Sequence, residues 1–118
     1  MINIPQSEKN ILFSTALDAI KIGGGILLDR FGKQNEISYK GRIDPVTDVD
    51  ISSEKSIIEY IRGRFPEHDF ITEESSPGLK GSPYRWLIDP LDGTVNYAHD
   101  YPVVAVSVGL EINGVMTI

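Results

Sequence analysis

The sequence predicts an α+β fold in which two helices pack on a mainly antiparallel sheet. Two stretches in the first half, residues 7–32 and 48–65, repeat apolar residues at helical spacing. Alternating or continuous apolar runs, typical of strands, follow in the second half. Asn113-Gly114 then gives the strongest short signal for a hairpin. With 118 residues, 41% hydrophobic and 24% charged, the chain is long enough for one small domain with a modest core.

The first helix is predicted to begin at Ser7 as N-cap and to stop at Gly32. Its glycine run, residues 23–25, costs about 1 kcal/mol per residue relative to alanine. We therefore expect another element to approach the helix closely at these glycines. The stripe predicted to face the core comprises Phe13, Leu17, Ile20, Gly24, Leu28 and Phe31.

The second helix is predicted to start at Asp48 and to end before Pro66. Between the two helices, "EISYK" at 36–40 indicates a short strand and "GRIDPVTD" at 41–48 a polar loop. The buried face of the second helix is predicted to carry Ile57, Ile58, Ile61 and Phe65.

Three further strands are predicted along the second half. "DFIT" at 69–72 is the first, and the nearly continuous apolar run "YRWLID" at 84–89 favours a central position in the sheet. The segment "VVAVSVGLEI" at 103–112 is the third. Its alternation places one set of residues on a shared face, namely Val104, Val106, Val108, Leu110 and Ile112.

Charge and composition restrict the partners of the chain. The net charge of −6 argues against nucleic acid or an anionic membrane, and an anionic ligand would have to arrive with cations. The absence of cysteine rules out disulfides, thiolate metal sites and a cysteine nucleophile, and is compatible with a cytoplasmic location. No signal peptide is evident, and no apolar run is expected to reach the roughly 18 residues of a membrane span.

Carboxylates occur where the predicted elements end. Asp50 lies near the start of the second helix, Glu73 follows one strand, and Asp89 and Asp92 follow another. Ligand sites gather at strand ends in α/β folds, and oxygen ligands without histidine or cysteine suit hard cations such as Mg²⁺. Mg²⁺ in turn suits phosphate substrates, and Gly93 would let the backbone approach a phosphate.

Each feature also has a simpler interpretation. "DPLDGT" alone is typical of a turn, "TEES" of a solvated corner, and Asp50 of a helix start. His68 is expected in a surface loop, and Trp86 and Tyr97 in the core. A Ca²⁺ loop at Asp44, Asp48 and Asp50 is disfavoured because its spacing differs from that of an EF-hand.

Three motifs together resemble the inositol monophosphatase family of lithium-sensitive, Mg²⁺-dependent phosphatases. "WLIDPLDGTVNYAHDYPVVAVSVGL" resembles the first signature of that family, "ITEES" its Glu-Glu-Ser corner, and "DPVTDVD" the Val-Thr-x-x-Asp segment that opens its second helix. The resemblance implies a layered α/β/α sugar-phosphatase fold. It also implies that residues 1–118 form the N-terminal part of a single domain, cut after the Asn113-Gly114 hairpin.

The resemblance implies a metal site built from oxygen ligands. Glu73, Asp89 and the backbone carbonyl of Leu91 would hold a first Mg²⁺. Asp89 would bridge to a second Mg²⁺, which Asp92 also binds, and the other oxygen of Glu73 would help to hold a third. The motif that gives the family its remaining aspartate, Trp-Asp-x-Ala, is absent from the 118 residues.

The same resemblance implies the catalytic and substrate-binding residues. Asp50 and Thr94 would form a dyad that orients and deprotonates the attacking water, with Glu73 acting beside them through its metal ion. Backbone N–H groups of Gly93 and Thr94 would cradle the phosphate, and Asp92 would lie against the substrate. Val95 departs from the second threonine that is common after Gly-Thr in the family.

The implied function is Mg²⁺-dependent hydrolysis of inositol phosphate to inositol and phosphate by a cytoplasmic homodimer. Fructose 1,6-bisphosphate and 3'-phosphoadenosine 5'-phosphate are alternative substrates within the same chemistry. A different alternative is that the chain is a catalytically incomplete cation-binding fragment, and we expect the 118 residues alone to be inactive.

Overall fold

The computed structural model describes residues 4–31, 37–39, 43–72, 79–93, 96, 99 and 104–118. Two helices and six strands lie within these ranges. In chain order they are α1 (Gln6–Arg30), β1 (Ile37–Tyr39), β2 (Ile43–Thr47), α2 (Asp48–Arg64), β3 (Asp69–Thr72), β4 (Tyr84–Asp92), β5 (Ala105–Ile112) and β6 (Val115–Met116).

Four of the strands form one sheet in the order β3-β4-β5-β6, with β4 in a central position as predicted. β3 runs parallel to β4, whereas β5 is antiparallel to both β4 and β6. The predicted α+β fold with two helices on a mainly antiparallel sheet is confirmed, with the refinement that the sheet is mixed. At the predicted hairpin, Asn113 and Gly114 have φ of 51° and 81°, and Ile112 pairs with Val115.

The loop predicted at residues 41–48 is wrong. Residues 43–47 form β2, which pairs antiparallel with β1 in a separate two-stranded sheet. Among the described residues β2 has a neighbour on one side only, and a proline such as Pro45 is tolerated in a strand of this kind. α2 follows β2 without an intervening residue, beginning at Asp48.

A buried carboxylate ties the start of β3 to the segment that precedes β4. Asp69, the first residue of β3, is 2% exposed and accepts the backbone N–H groups of Lys80 at 2.7 Å and Ser82 at 2.9 Å. These hydrogen bonds, that from Lys80 foremost, hold the pKa of Asp69 below its usual value. The chain thus returns to the start of β3 before β4 begins, and both strands end at the same edge of the sheet.

The face of α1 that packs on the core differs from the predicted one. The predicted stripe is wrong at Phe13 and Leu28, which are 53% and 81% exposed, whereas its last member, Phe31, packs against a small core cluster. The neighbouring stripe is buried instead, and it consists of Leu12, Thr15, Ala16, Ala19, Gly23 and Leu27. Small side chains on this stripe allow α1 to approach α2 and β5 more closely than Phe13 or Leu17 would.

The structure explains one glycine of the run and corrects the predicted start of α1. A Cβ at Gly23 would lie 2.8 Å from Ile57 Cδ1, so the predicted close approach is confirmed there, whereas no described residue lies as close to Gly24 or Gly25. Ser7 is not the N-cap, because the helix begins one residue earlier, after Pro5. Gly32, the predicted stop, lies outside the described residues.

α1 is also the one helix of the described part of the chain that is long and apolar enough to cross a membrane. This corrects the expectation that no segment reaches that length and apolarity. Length and composition alone are weak evidence, because the core helix of a globular fold passes the same test.

The main core lies between the helices and the sheet. Ile57, Ile58 and Ile61 of α2 are buried as predicted, and Trp86 of β4 is fully buried. His68 is not the surface residue that the sequence suggested, because its Nδ1 accepts the indole N–H of Trp86 at 2.9 Å. The remaining members of this cluster include Leu12, Ala16, Ala19, Phe70, Ile88, Leu110 and Ile112.

Candidate functional site

The acidic residues of β4 lie where its pairing with β5 becomes irregular. Asp89 pairs with Ser107 and Asp92 with Ala105, and the register shifts between these two pairs. One Asp89 oxygen, Oδ1, accepts the backbone N–H of Leu91 at 3.3 Å. The end of β4 therefore departs from a regular ladder. Its last four residues, 89–92, carry the carboxylate and carbonyl oxygen atoms of the predicted site.

β3 ends beside this irregular segment. Its last residue, Thr72, pairs with Ile88 in the parallel register, one residue before Asp89. Glu73 follows Thr72 in the chain but lies outside the described residues, as does Thr94. Asp89 lines a cavity of about 240 Å³ together with Ile71, Thr72, Leu87, Ile88 and Ser107.

The start of α2 is packed against the same strand end. Val49 belongs to a small core cluster with Leu91 and Leu27. Four residues further along α2, the Ser53 hydroxyl donates to the carbonyl oxygen of Pro90 at 3.0 Å. Asp50 lies on the helical turn between these two contacts and is 3% exposed. The structure thus brings the turn that carries Asp50 to the segment that carries Asp89, Leu91 and Asp92.

Asp92 and Gly93 open toward a second cavity. Asp92 is exposed, and Gly93 has a φ of 88°, which a residue with a side chain rarely adopts. The cavity has a volume of about 230 Å³ and is lined by Asp92, Gly93, Asn96, Val104 and Ala105. Asn96 carried no predicted role, although it directly follows the Asp-Gly-Thr-Val motif. Ser53 was missed as well, since no pattern distinguishes it from Ser52 and Ser56.

The available donor atoms fit a hard divalent cation. Asp89 and Asp92 offer carboxylate oxygens and Leu91 a carbonyl oxygen, whereas His68 is engaged by Trp86 and the chain has no cysteine. Oxygen-only ligation suits Mg²⁺ better than Zn²⁺. Within the part of the chain that the structure describes, no group of three or more Asp, Glu, His or Cys side chains is placed to hold a metal. The predicted ligand set therefore depends on Glu73.

Fold and site together define the class of protein. It is an α+β protein with helices packed on a mixed sheet, and the carboxylates of Asp89 and Asp92 lie where the pairing of β4 with β5 becomes irregular. The family model for the inositol monophosphatase family matches residues 9–118, and the chain belongs to this family. Its members are metal-dependent phosphatases that act on small phosphate monoesters.

Individual relatives agree with this assignment. The chain is 36% identical over 120 residues to an inositol monophosphatase of Mesembryanthemum crystallinum, covering 98% of this chain and 43% of the relative. It is 43% identical over 114 residues to an inositol-1-monophosphatase of Synechocystis, covering 95% and 40%. A fructose-1,6-bisphosphatase/inositol-1-monophosphatase of Aquifex aeolicus is 49% identical over 90 residues, covering 75% and 34%.

Solved structures show the same fold. The extragenic suppressor protein suhB of Bartonella henselae matches with a TM-score of 0.82 and 32% identity, covering 91% of this chain and 43% of the other. The inositol monophosphatase of Anabaena matches with a TM-score of 0.74 and 38% identity, covering 92% and 38%. The chain therefore spans about two fifths of the length of these relatives.

Proposed function

We propose that the protein is a Mg²⁺-dependent phosphomonoesterase that hydrolyses inositol monophosphate to inositol and phosphate. The observation that carries the proposal is the packing of the Asp50 turn of α2 against the Asp89–Asp92 end of β4 in a chain of this family. That packing brings the turn with the buried Asp50 to a segment rich in oxygen donors, which supports Asp50 as the proton acceptor and this segment as the metal site.

The ligand set proposed for Mg²⁺ is Glu73, Asp89, the carbonyl oxygen of Leu91, and Asp92. Asp89 would be shared by two ions. Glu73 is the next residue after Thr72, whose pairing with Ile88 brings the end of β3 to the Asp89 end of β4. Bound Mg²⁺ would supply positive charge against the phosphate and lower the pKa of a water molecule in the site.

The side chains of this chain would handle the proton and the phosphate. Asp50 would accept a proton from the attacking water through the Thr94 hydroxyl, while the lone pair of the water forms the new bond to phosphorus. The ester P–O bond would break, the inositol oxygen would leave with its electron pair and take a proton from a solvent water molecule, and Asp50 would return its proton to solvent. Backbone N–H groups of Gly93 and Thr94 would donate to phosphate oxygens, and Asp92 would contact the substrate beside them.

A small phosphate monoester is the proposed partner, and the protein is proposed to act as a homodimer in the cytoplasm. Lithium sensitivity belongs to the same proposal. A longer natural chain would be required for turnover, because the relatives are more than twice as long as the matched segment.

The proposal is tested with an Asp89→Asn substitution in the protein as the cell makes it. We expect Mg²⁺-dependent phosphate release from inositol 1-phosphate to fall at least about a hundredfold, because the change removes a charged ligand. Glu59→Gln, at an exposed position on α2, is the matched control and should retain the rate of the natural sequence. Full activity of the Asp89→Asn variant would overturn the assignment of Asp89 as a metal ligand.

A second substrate is favoured by one comparison. The Aquifex aeolicus relative carries both a fructose-1,6-bisphosphatase and an inositol-1-monophosphatase name. Fructose 1,6-bisphosphate should therefore be assayed beside inositol 1-phosphate. A higher kcat/KM for the bisphosphate would reassign the substrate, whereas the roles of Asp89 and Asp50 would remain.

A further inference from the structure

A buried serine on α2 holds the backbone between the proposed metal ligands. Ser53 is fully buried, and its hydroxyl donates to the Pro90 carbonyl oxygen at 3.0 Å. We propose that Ser53 is a positioning residue, which fixes the Pro90–Leu91 peptide group and thereby the Asp89 carboxylate and the Leu91 carbonyl. The catalytic consequence rests on the proposed function, whereas the positioning itself does not.

The Pro90–Leu91 peptide group is held on both of its polar atoms. Its oxygen accepts from Ser53, and its N–H donates to Asp89 Oδ1 at 3.3 Å. A trans peptide is planar, and its oxygen and its N–H point in opposite directions. When Ser53 of α2 holds the Pro90 oxygen, the Leu91 N–H on the other side of the peptide plane points toward Asp89. The position of α2 thereby influences the position of the Asp89 carboxylate.

The sheet is irregular where this hydrogen bond acts. Among the described residues, β3 pairs with β4 as far as Ile88, and the register of β4 with β5 shifts between Asp89 and Asp92. Pro90, which lies within the irregular stretch, has no N–H to contribute to a ladder. The Ser53 hydroxyl thus adds a hydrogen bond from α2 at the point where the register of the sheet shifts.

α1 confines the hydroxyl from the opposite side. A Cβ at Gly23 would lie 3.0 Å from Ser53 Oγ, so the absence of a side chain at Gly23 leaves room for the hydroxyl. Helical serines often donate to the carbonyl four residues earlier on their own helix. Ser53 donates instead to β4, across 37 residues of sequence, so its hydrogen bond belongs to the tertiary fold.

The first measurement needs no metal. Amide hydrogen exchange at Leu91, divided by that at the core residue Trp86, reports the local restraint independently of global stability. We expect Ser53→Ala to raise this ratio about tenfold. Ser56→Ala, at a half-buried serine on the same helix, is the matched control and should leave the ratio unchanged.

The second measurement uses Mn²⁺ as a paramagnetic probe of the proposed Mg²⁺ site. We expect Ser53→Ala to weaken Mn²⁺ binding about tenfold, as loss of a residue that orients a ligand does, and Ser56→Ala to leave it unchanged. Should Ser53→Ala fail to fold, Ser53→Cys retains a weak donor in a similar volume and should shift both readouts less strongly in the same direction.

The outcomes separate this inference from the proposed function. Leu91 exchange or Mn²⁺ affinity in Ser53→Ala equal to that in Ser56→Ala would overturn the positioning role. Absence of Mn²⁺ binding by the natural sequence would instead overturn the proposed metal chemistry. In that case Leu91 exchange alone decides the role of Ser53.

Discussion

His68 lies between two aromatic rings, with centroid distances of 4.6 Å to Phe65 and 4.5 Å to Tyr84. Its Nδ1 accepts from Trp86, so the imidazole is held in its neutral form. Burial lowers the pKa of His68 and outweighs three carboxylates that raise it, those of Glu67, Glu8 and Asp69. Protonation would therefore break the Trp86 contact and charge a ring that is stacked between apolar neighbours.

This arrangement predicts a loss of stability in mild acid. The folded-state pKa of His68 lies below the unfolded value of about 6.5, so the stabilisation is present above that pH and is lost as the pH falls toward the folded pKa. Urea unfolding between pH 7.5 and 5 should show a steeper decline for the natural sequence than for His68→Asn. His99→Asn, at an exposed histidine, is the control and should decline like the natural sequence. Equal pH dependence in His68→Asn would contradict this role.

At the scale of elements, sequence periodicity did not predict the rotation of α1 about its own axis, which decides the face that is buried. The helix is apolar on two neighbouring stripes, so spacing alone could not identify the stripe that faces α2 and β5. The tight contact of Gly23 with α2 decides between them, because a bulky stripe would hold the helices apart. Phe13 and Leu17 thereby become exposed, although they have the spacing of core residues.

Two adjacent leucines test this setting of α1. Leu27 is 5% exposed and Leu28 is 81% exposed. Leu27→Ala should lower the free energy of unfolding by about 2–5 kcal/mol, because it leaves a cavity in the cluster with Val49 and Leu91. Leu28→Ala should change it by no more than about 0.5 kcal/mol, because little apolar area is buried there. Comparable losses in urea unfolding for both variants would mean that α1 is rotated from the described position.

The sequence predicted the elements that depend on local patterns and missed those that depend on distant ones. The Asn113-Gly114 hairpin, the end of α2 and the central strand β4 follow from local turn chemistry and apolar runs. The parallel pairing of β3 with β4 is accompanied by hydrogen bonds from backbone groups more than ten residues away to the Asp69 carboxylate. A spacing rule carries no information about such a contact.

The residues of the candidate site also divide into those that local motifs indicate and those that only distant contacts reveal. Asp50, Asp89, Leu91 and Asp92 were selected through the motifs that contain them, and the structure brings the Asp50 turn to the other three. The roles assigned to these four residues, and to Glu73, Gly93 and Thr94, stay predictions. Ser53 could not be selected from the sequence, because its proposed role arises only from the position of Pro90 on another element.

For the whole molecule, charge would link folding to the proposed binding of a metal ion. The chain carries a net charge of −6, and the proposed site adds carboxylate repulsion at one edge of the sheet. A cation that binds the folded chain and not the unfolded chain stabilises it by RT ln(1 + [cation]/Kd), about 1.4 kcal/mol at a tenfold excess over Kd. Screening by a monovalent salt relieves repulsion generally and has no dependence on one particular carboxylate.

Mg²⁺ should therefore raise the thermal unfolding midpoint of the chain more than NaCl of equal ionic strength. A suitable comparison is about 10 mM MgCl₂ against about 30 mM NaCl, which matches the screening and leaves only specific binding to differ. Asp92→Asn should remove the excess effect of Mg²⁺, because the exposed end of β4 loses one proposed ligand, and should keep the effect of NaCl. Glu67→Gln, which removes one charge at an exposed position in the turn between α2 and β3, should preserve both effects. An equal shift from the two salts in the natural sequence would show that the acidic edge of the sheet is screened by cations without binding one.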